Sequence, residues 1–236
     1  PMIPPARKIV VANSTADGAD ANTTDGVCQT STAGQCTLRA AIQQANASAG
    51  ANTITFNIPG AGPHTIQPTS VLPRITDAVI INGTSEPDFA GTPIIELDGS
   101  LAGVGVNGLT VEAGNCTIRG LVINRFTGDG IRLDINDNNI VVGNYLGTDV
   151  TGTLDRGNLG SGILLYYQSG GNIIGGTTAA DRNVISGNDY HGIFNQWSAV
   201  NVIQGNIIGL DASGNAILPN GVSTQNTSGT GIYIQQ

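Results

Sequence analysis

Apolar residues fall in short runs separated by Gly, Asn, Asp, Ser and Thr along almost the whole chain. One segment breaks that rhythm. In TLRAAIQQANA (37–47), Leu38, Ala41, Ile42 and Ala45 recur at i, i+3, i+4 and i+7, the period of a helix with one buried face. Thr37 stands where an N-cap belongs. KIVVA (8–12) ahead of it reads as a strand. From residue 51 onward the pattern predicts only short strands: TITFNI, HTIQ, AVIING, PIIEL, GLTV, CTIRGLVI, GIRLDI, NIVVGNYLG, GILLYY, NIIGG, NVISGN, GIFNQ, NVIQGNIIG and GIYIQ.

Many short strands suit a sandwich, a barrel or a solenoid. Internal repeats favour the solenoid. NIVVGNYLGTDVTGT (139–153) and NVIQGNIIGLDASGN (201–215) share six of fifteen residues. A Gly-apolar pair recurs at Gly108, Gly130, Gly162, Gly192 and Gly231, in steps of 22, 32, 30 and 39 residues. Cys116, Asn139, Asn172 and Asn201 begin successive strands at steps of 23, 33 and 29. The shorter steps suit one bare coil, and the longer ones a coil with a loop inserted at a corner. The 62-residue offset of the long repeat is then two coils. Like residues stack because each coil rests on the coil before it, and Asn amides can form hydrogen-bonded ladders along a column. Alternation places Ile131, Ile163, Ile193 and Ile232 in one inward stack, with Arg132, Leu164, Phe194 and Tyr233 outside.

Composition narrows the functional classes. Nine basic residues against seventeen acidic ones give a net charge of −8. Nucleic acids and anionic membranes need clustered Lys and Arg, so the charge argues against both as partners, no nucleic-acid partner is expected, and a tight grip on polyanionic sugar is disfavoured. No apolar run is long enough to span a membrane. The start, PMIPPARKIVVA, reads as a mature end or a boundary. Of three cysteines, Cys28 and Cys36 flank a flexible loop in CQTSTAGQC, which suits a disulfide; two reduced thiols are the alternative. Cys116 is then a buried free thiol.

The run CTLRAAIQQANA (36–47) resembles the N-terminal motif C-S-L-R-E-A-[IV]-x-x-A-N of bacterial exported and surface right-handed parallel β-helix proteins, adhesin-like or similar to polymorphic outer-membrane proteins. TITFNIPGAGPHTIQ, GNYLGTDVTG and IIGGTTAADRNVISGN are in the same style. Ala40 departs from the motif, which usually has Glu. The resemblance implies an all-β, right-handed parallel β-helix, an extracellular or cell-surface location and a structural or adhesive role. Residues 1–50 are expected to form an N-terminal segment and helical cap, continuous with a β-helix over 51–236.

Candidate chemistry is sparse. Asp149 and Asp211 occupy equivalent places two coils apart, roughly 10 Å at a rise of about 4.8 Å per coil, near the separation used by inverting glycosidases. The simpler reading is that each Asp starts a turn in an inserted loop, G-T-D-V-T-G and G-L-D-A-S-G. His191, in GNDYHGI, resembles the Gly-His-Gly of pectin hydrolases without the carboxylates and basic residues those enzymes need; a surface turn accounts for it. Asp17, Asp20, Asn22 and Asp25 offer the oxygens of a structural calcium loop, as do Asp134, Asn136 and Asp137, though neither matches an EF-hand and Asx turns use the same residues. Six glycosylation sequons suit an exported surface. Tyr166, Tyr167, Phe194, Trp197 and Tyr233 cluster on equivalent strands, an outward aromatic strip for sugar rings, another subunit or a covering loop.

The expected function is an extracellular structural or adhesive module, with a carbohydrate-binding or carbohydrate-active β-helix as the alternative. Expected partners are copies of itself, in an oligomer or fibre, further domains of a longer surface protein, or a glycan. Self-association is expected because the last strand, GIYIQQ, has no cap; Met2 and Ile3 could cover it.

Overall fold

The computed structural model describes residues 8–135, 137–198, 200–222 and 229–235. Strand β1 (Ile9–Ala12) leads through a long loop to helix α1 (Leu38–Ala47). Six coils follow. The first holds β2 (Asn52–Phe56) and β3 (His64–Ile66), and the second β4 (Val79–Asn82), β5 (Ile95–Asp98) and β6 (Leu109–Val111). The third holds β7 (Thr117–Arg119), β8 (Leu121–Asn124) and β9 (Ile131–Asp134). The fourth holds β10 (Ile140–Val142), β11 (Tyr145–Leu146) and β12 (Ile163–Tyr166). The fifth holds β13 (Ile173–Ile174), β14 (Val184–Ile185) and β15 (Ile193–Gln196), and the sixth β16 (Val202–Ile203), β17 (Ile207–Ile208) and β18 (Ile232–Gln235). Equivalent strands of successive coils pair in parallel, every third strand from β4 onward, giving three sheets: β1-β2-β4-β7-β10-β13-β16, β3-β5-β8-β11-β14-β17 and β6-β9-β12-β15-β18. This is a parallel β-helix. The register joins Ile140, Ile173 and Val202, so the repeated fifteen residues do lie two coils apart.

The glycine column has a steric cause. A Cβ on Gly108, Gly130, Gly162 or Gly192 would sit 2.4–2.8 Å from the carbonyl oxygen of the next column glycine. Those oxygens accept the ladder hydrogen bonds, as Ile131 N–H to Gly162 O and Ile163 N–H to Gly192 O, both 3.0 Å, so they cannot retreat.

Asparagine ladders stand at three corners. The expected one runs through Asn139, Asn172 and Asn201, each Oδ1 accepting the backbone N–H of its counterpart a coil earlier at 2.8–3.0 Å, with Cys116 N–H as the first donor. Asn144, Asn183 and Asn206 form a second. Asn158, Asn188 and Asn220 form a third. Corners leave backbone groups outside the strand ladders, and a buried unpaired N–H or C=O is costly. One amide serves both kinds. Asn183 Oδ1 accepts from Asn144, while its Nδ2 donates to Val141 O at 2.8 Å.

Inside, Ile131, Ile163 and Ile193 stack in register and are fully buried. At about 1.5–3 kcal/mol per buried large aliphatic side chain, such stacks supply much of the driving force. Ile232 continues the column on β18 but is 43% exposed, having no described strand on its far side. The outward row holds Arg132, Leu164, Phe194 and Tyr233. Leu164 corrects the expectation of an exposed residue: it is only 6% exposed, lying between Arg132 and Phe194.

Helix α1 lies over the first coil. Leu38, Ala41, Ile42 and Ala45 join one hydrophobic cluster with Val10, Ile54 and Phe56. Thr37 Oγ1 accepts the Ala40 N–H at 3.0 Å, an N-cap worth about 1 kcal/mol. Ala40 is fully buried, where the charged Glu of the motif would need a partner. Cys28 and Cys36 are bridged, and Cys116 is a buried free thiol. Burial pushes the Cys116 thiol up to about 11, Asp77 adding to the rise against a backbone hydrogen bond at Val79. No described helix is long and apolar enough to cross a membrane.

Candidate functional site

The aromatics gather at the third sheet, because parallel register brings residues of successive coils side by side. Tyr166 ends β12; Tyr167 and Trp197 follow β12 and β15 in left-handed backbone (φ 41° and 50°), which turns their side chains out of the strand line. The rings form a triangle: Tyr166–Tyr167 centroids 6.2 Å apart, Tyr166–Trp197 6.5 Å, and Tyr167–Trp197 6.5 Å edge to face. The Arg132 guanidinium sits 4.2 Å from the Tyr166 ring centroid, and its Nε donates to Asp134 Oδ1 at 2.8 Å. Tyr167 is 49% and Trp197 45% exposed. The patch offers aromatic faces beside an ion pair, an apolar platform with polar groups at its margin.

Phe194 and Tyr233 belong to a second cluster on the same sheet, with centroids 5.4 Å apart. His191 lies within it, stacked on Tyr233 at 4.8 Å. His191 is buried, which corrects the surface-turn expectation. Its Nδ1 accepts the Thr230 N–H at 3.1 Å, so the neutral ring carries its proton on Nε2, which has no partner among the described residues. Burial lowers its pKa and favours that neutral form.

Asp149 and Asp211 head matching loops inserted between the second and third sheets. The loops touch: Ala212 N–H donates to Gly152 O at 2.9 Å. Each carboxylate is engaged within its own loop. Burial raises the Asp149 pKa, but hydrogen bonds from Leu154, Thr151 and Thr153 outweigh it, and the net shift is downward. The Ser213 hydroxyl, then the Ala216 and Asn215 N–H groups, lower that of Asp211. Both side chains serve as turn formers. In the first loop, Asp17 is held by Arg39, Nε to Oδ1 at 2.9 Å and a second nitrogen to Oδ2 at 3.0 Å, and by Thr69. Asp20, Asn22 and Asp25 accept the N–H two residues on, as Asx turns. Asn136 of the second oxygen-rich stretch, and Met2 and Ile3, lie outside the described residues.

Periodicity gave no sign of a groove of about 300 Å³ at the corner between the first two sheets. Thr84, Phe89, Arg119, Tyr145 and Arg182 line it. Arg119 Nε is buried there without a partner among the described residues. These residues come from loops and strands of different coils, and only the register of the coils unites them.

The fold and its surface thus define a parallel β-helix bearing an exposed aromatic patch. No family model matches the chain, and no curated protein matches its sequence.

Proposed function

We propose that the protein is an extracellular structural and adhesive β-helix module that contacts glycans through Tyr166, Tyr167 and Trp197. The single observation carrying this reading is the exposed ring triangle with the Arg132–Asp134 pair at its edge. Sugar rings present apolar C–H faces that pack on aromatic faces, and ring hydroxyls can reach the bordering Arg132 side chain, which is 27% exposed. The net charge of −8 favours neutral glycans over polyanionic ones. The Cys28–Cys36 bridge supports the extracellular assignment, since such bonds persist in oxidising compartments.

Trp197 is the only tryptophan, so its fluorescence reports on the patch directly. Titration with neutral hexose and N-acetylhexosamine oligosaccharides should shift its emission saturably, and Tyr167→Ala should weaken binding about tenfold, or 1.4 kcal/mol. Unchanged emission with every oligosaccharide, together with a blank glycan array, would overturn the proposal.

A second reading rests on β18, where Ile232, Tyr233 and Ile234 are 43%, 42% and 56% exposed along a sheet edge. Such an edge invites a further strand, from another copy or from a longer chain. Concentration-dependent light scattering tests pairing between copies, and a constant monomer mass would exclude it.

A further inference from the structure

Loops 57–63 and 83–94 are inserted at the same corner of the first two coils, where the third coil turns with Gly120 alone. They meet over His64, the first residue of β3. His64 is 94% buried, and its Nε2 has no hydrogen-bond partner among the described residues. That nitrogen faces two carboxylates of the second loop: Glu86 Oε1 at 3.7 Å and Asp88 Oδ1 at 4.0 Å. Among the described residues these three form the only set of three or more His, Cys, Asp or Glu whose ligand atoms all lie within 4.8 Å of one another.

From this geometry we infer a binding site for a divalent first-row transition metal, with His64 Nε2, Glu86 Oε1 and Asp88 Oδ1 as its ligands. Two ligands bound to one ion at about 2.0–2.2 Å in tetrahedral geometry lie about 3.3–3.6 Å apart, and no two of these ligand atoms are more than 4.8 Å apart, so closure needs side-chain movements of about 1 Å or less. The separations are too long for hydrogen bonds from the imidazole to either carboxylate. An ion among the three satisfies the orphaned nitrogen and neutralises Glu86, itself only 3% exposed.

The carboxylates are oriented from behind, as ligands usually are. The Ile58 N–H donates to Glu86 at 3.1 Å, and the Gly62 N–H to Asp88 Oδ2 at 2.5 Å. Both donors lie on the first loop, so a metal would tie that loop and β3 to the second. Asp88 is on the open side, its side chain 40% exposed, and gives the ion a way in with room for water as a fourth ligand. One imidazole with two carboxylates and no thiolate suits zinc, cobalt(II), iron(II) or manganese(II) rather than calcium, which takes oxygen ligands. The site's role is structural, pinning the first two coils beside the helix.

The test uses the full chain stripped with chelator. Calorimetric titration with zinc should give one site, and the melting point should rise with zinc concentration. With two histidines in the sequence, NMR separates the responses: zinc should move the His64 imidazole signals and leave those of His191 in place. Asp88→Asn alters an exposed side chain without loading the core and should lose at least about tenfold in affinity. Glu86→Gln and His64→Gln should abolish binding. Absence of a saturable zinc site, or binding by Asp88→Asn equal to that of the parent with His64 signals unmoved, would overturn the assignment.

Discussion

Asp129 precedes Gly130 in a column of residues that stand one before each column glycine: Asn107, Asp129, Ser161, His191 and Thr230. Its Oδ1 accepts the Ser161 N–H at 2.8 Å, and its own N–H donates to Asn107 Oδ1 at 2.8 Å. Burial pushes its carboxyl up from 3.8 to about 6; the Ser161 N–H and Arg132 oppose the rise, and Asp134 adds to it. The folded chain therefore holds the proton more tightly than the unfolded chain. Below pH 3.8 both states are protonated and the group costs nothing. Between 3.8 and about 6 the unfolded state ionises first and stability falls as pH rises; above 6 the whole loss remains. The gap of about two pH units corresponds to about 3 kcal/mol.

Asp129→Asn keeps the acceptor oxygen and removes the charge. The variant should be more stable than the parent by up to about 3 kcal/mol at pH 7.5, or about 6 °C in melting midpoint for a chain of this length. The difference should shrink towards zero at pH 3.5. Following both proteins by circular dichroism at the two pH values cancels the titration of carboxylates that do not interact with Asp129, leaving the coupled Asp134 as the one that does not cancel. A variant less stable than the parent at pH 7.5, or a difference independent of pH, would refute the reasoning.

Three further outcomes follow from the packing. Gly162→Ala puts a Cβ 2.6 Å from Ile185 Cγ2 and 2.8 Å from Gly192 O, and should cost about 1–3 kcal/mol by denaturant unfolding; no loss would mean the coils are not held so closely. Leu164→Asp should cost about 2 kcal/mol or more despite its outward position, and Ile163→Ala about 2–5 kcal/mol; a neutral Leu164→Asp would show that the outer row is open to water. Thiol titration without reductant should count one thiol after denaturation and none before it, since Cys116 is buried and its pKa is about 11; three thiols would remove both the bridge and the case for export.

Much of the architecture was legible in the sequence because a solenoid repeats itself. Parallel stacking gives equivalent residues equivalent neighbours, so the columns of Gly108 to Gly231, Cys116 to Asn201 and Ile131 to Ile232 could be read by counting, and the helix by its period. The chain also spelled out its disulfide, whereas the aromatics read as one strip fall into two clusters, Tyr166, Tyr167 and Trp197 in one and Phe194 and Tyr233 in the other. Counting could not decide what a residue meets across a corner. The ladder of Asn144, Asn183 and Asn206 steps by 39 and then 23 residues, because loops of different length interrupt the coils, whereas that of Asn158, Asn188 and Asn220 steps by 30 and 32 and was open to counting. Leu164 alternates outward yet is covered, since burial depends on the width of Arg132 and Phe194 beside it. His191 sits in a polar sequence yet is buried, because Thr230 comes back to it across 39 residues. His64, Glu86 and Asp88 carry no motif spacing at all. They converge because two loops of unequal length project from one corner, and only the stacking of the first two coils sets the distance between those loops.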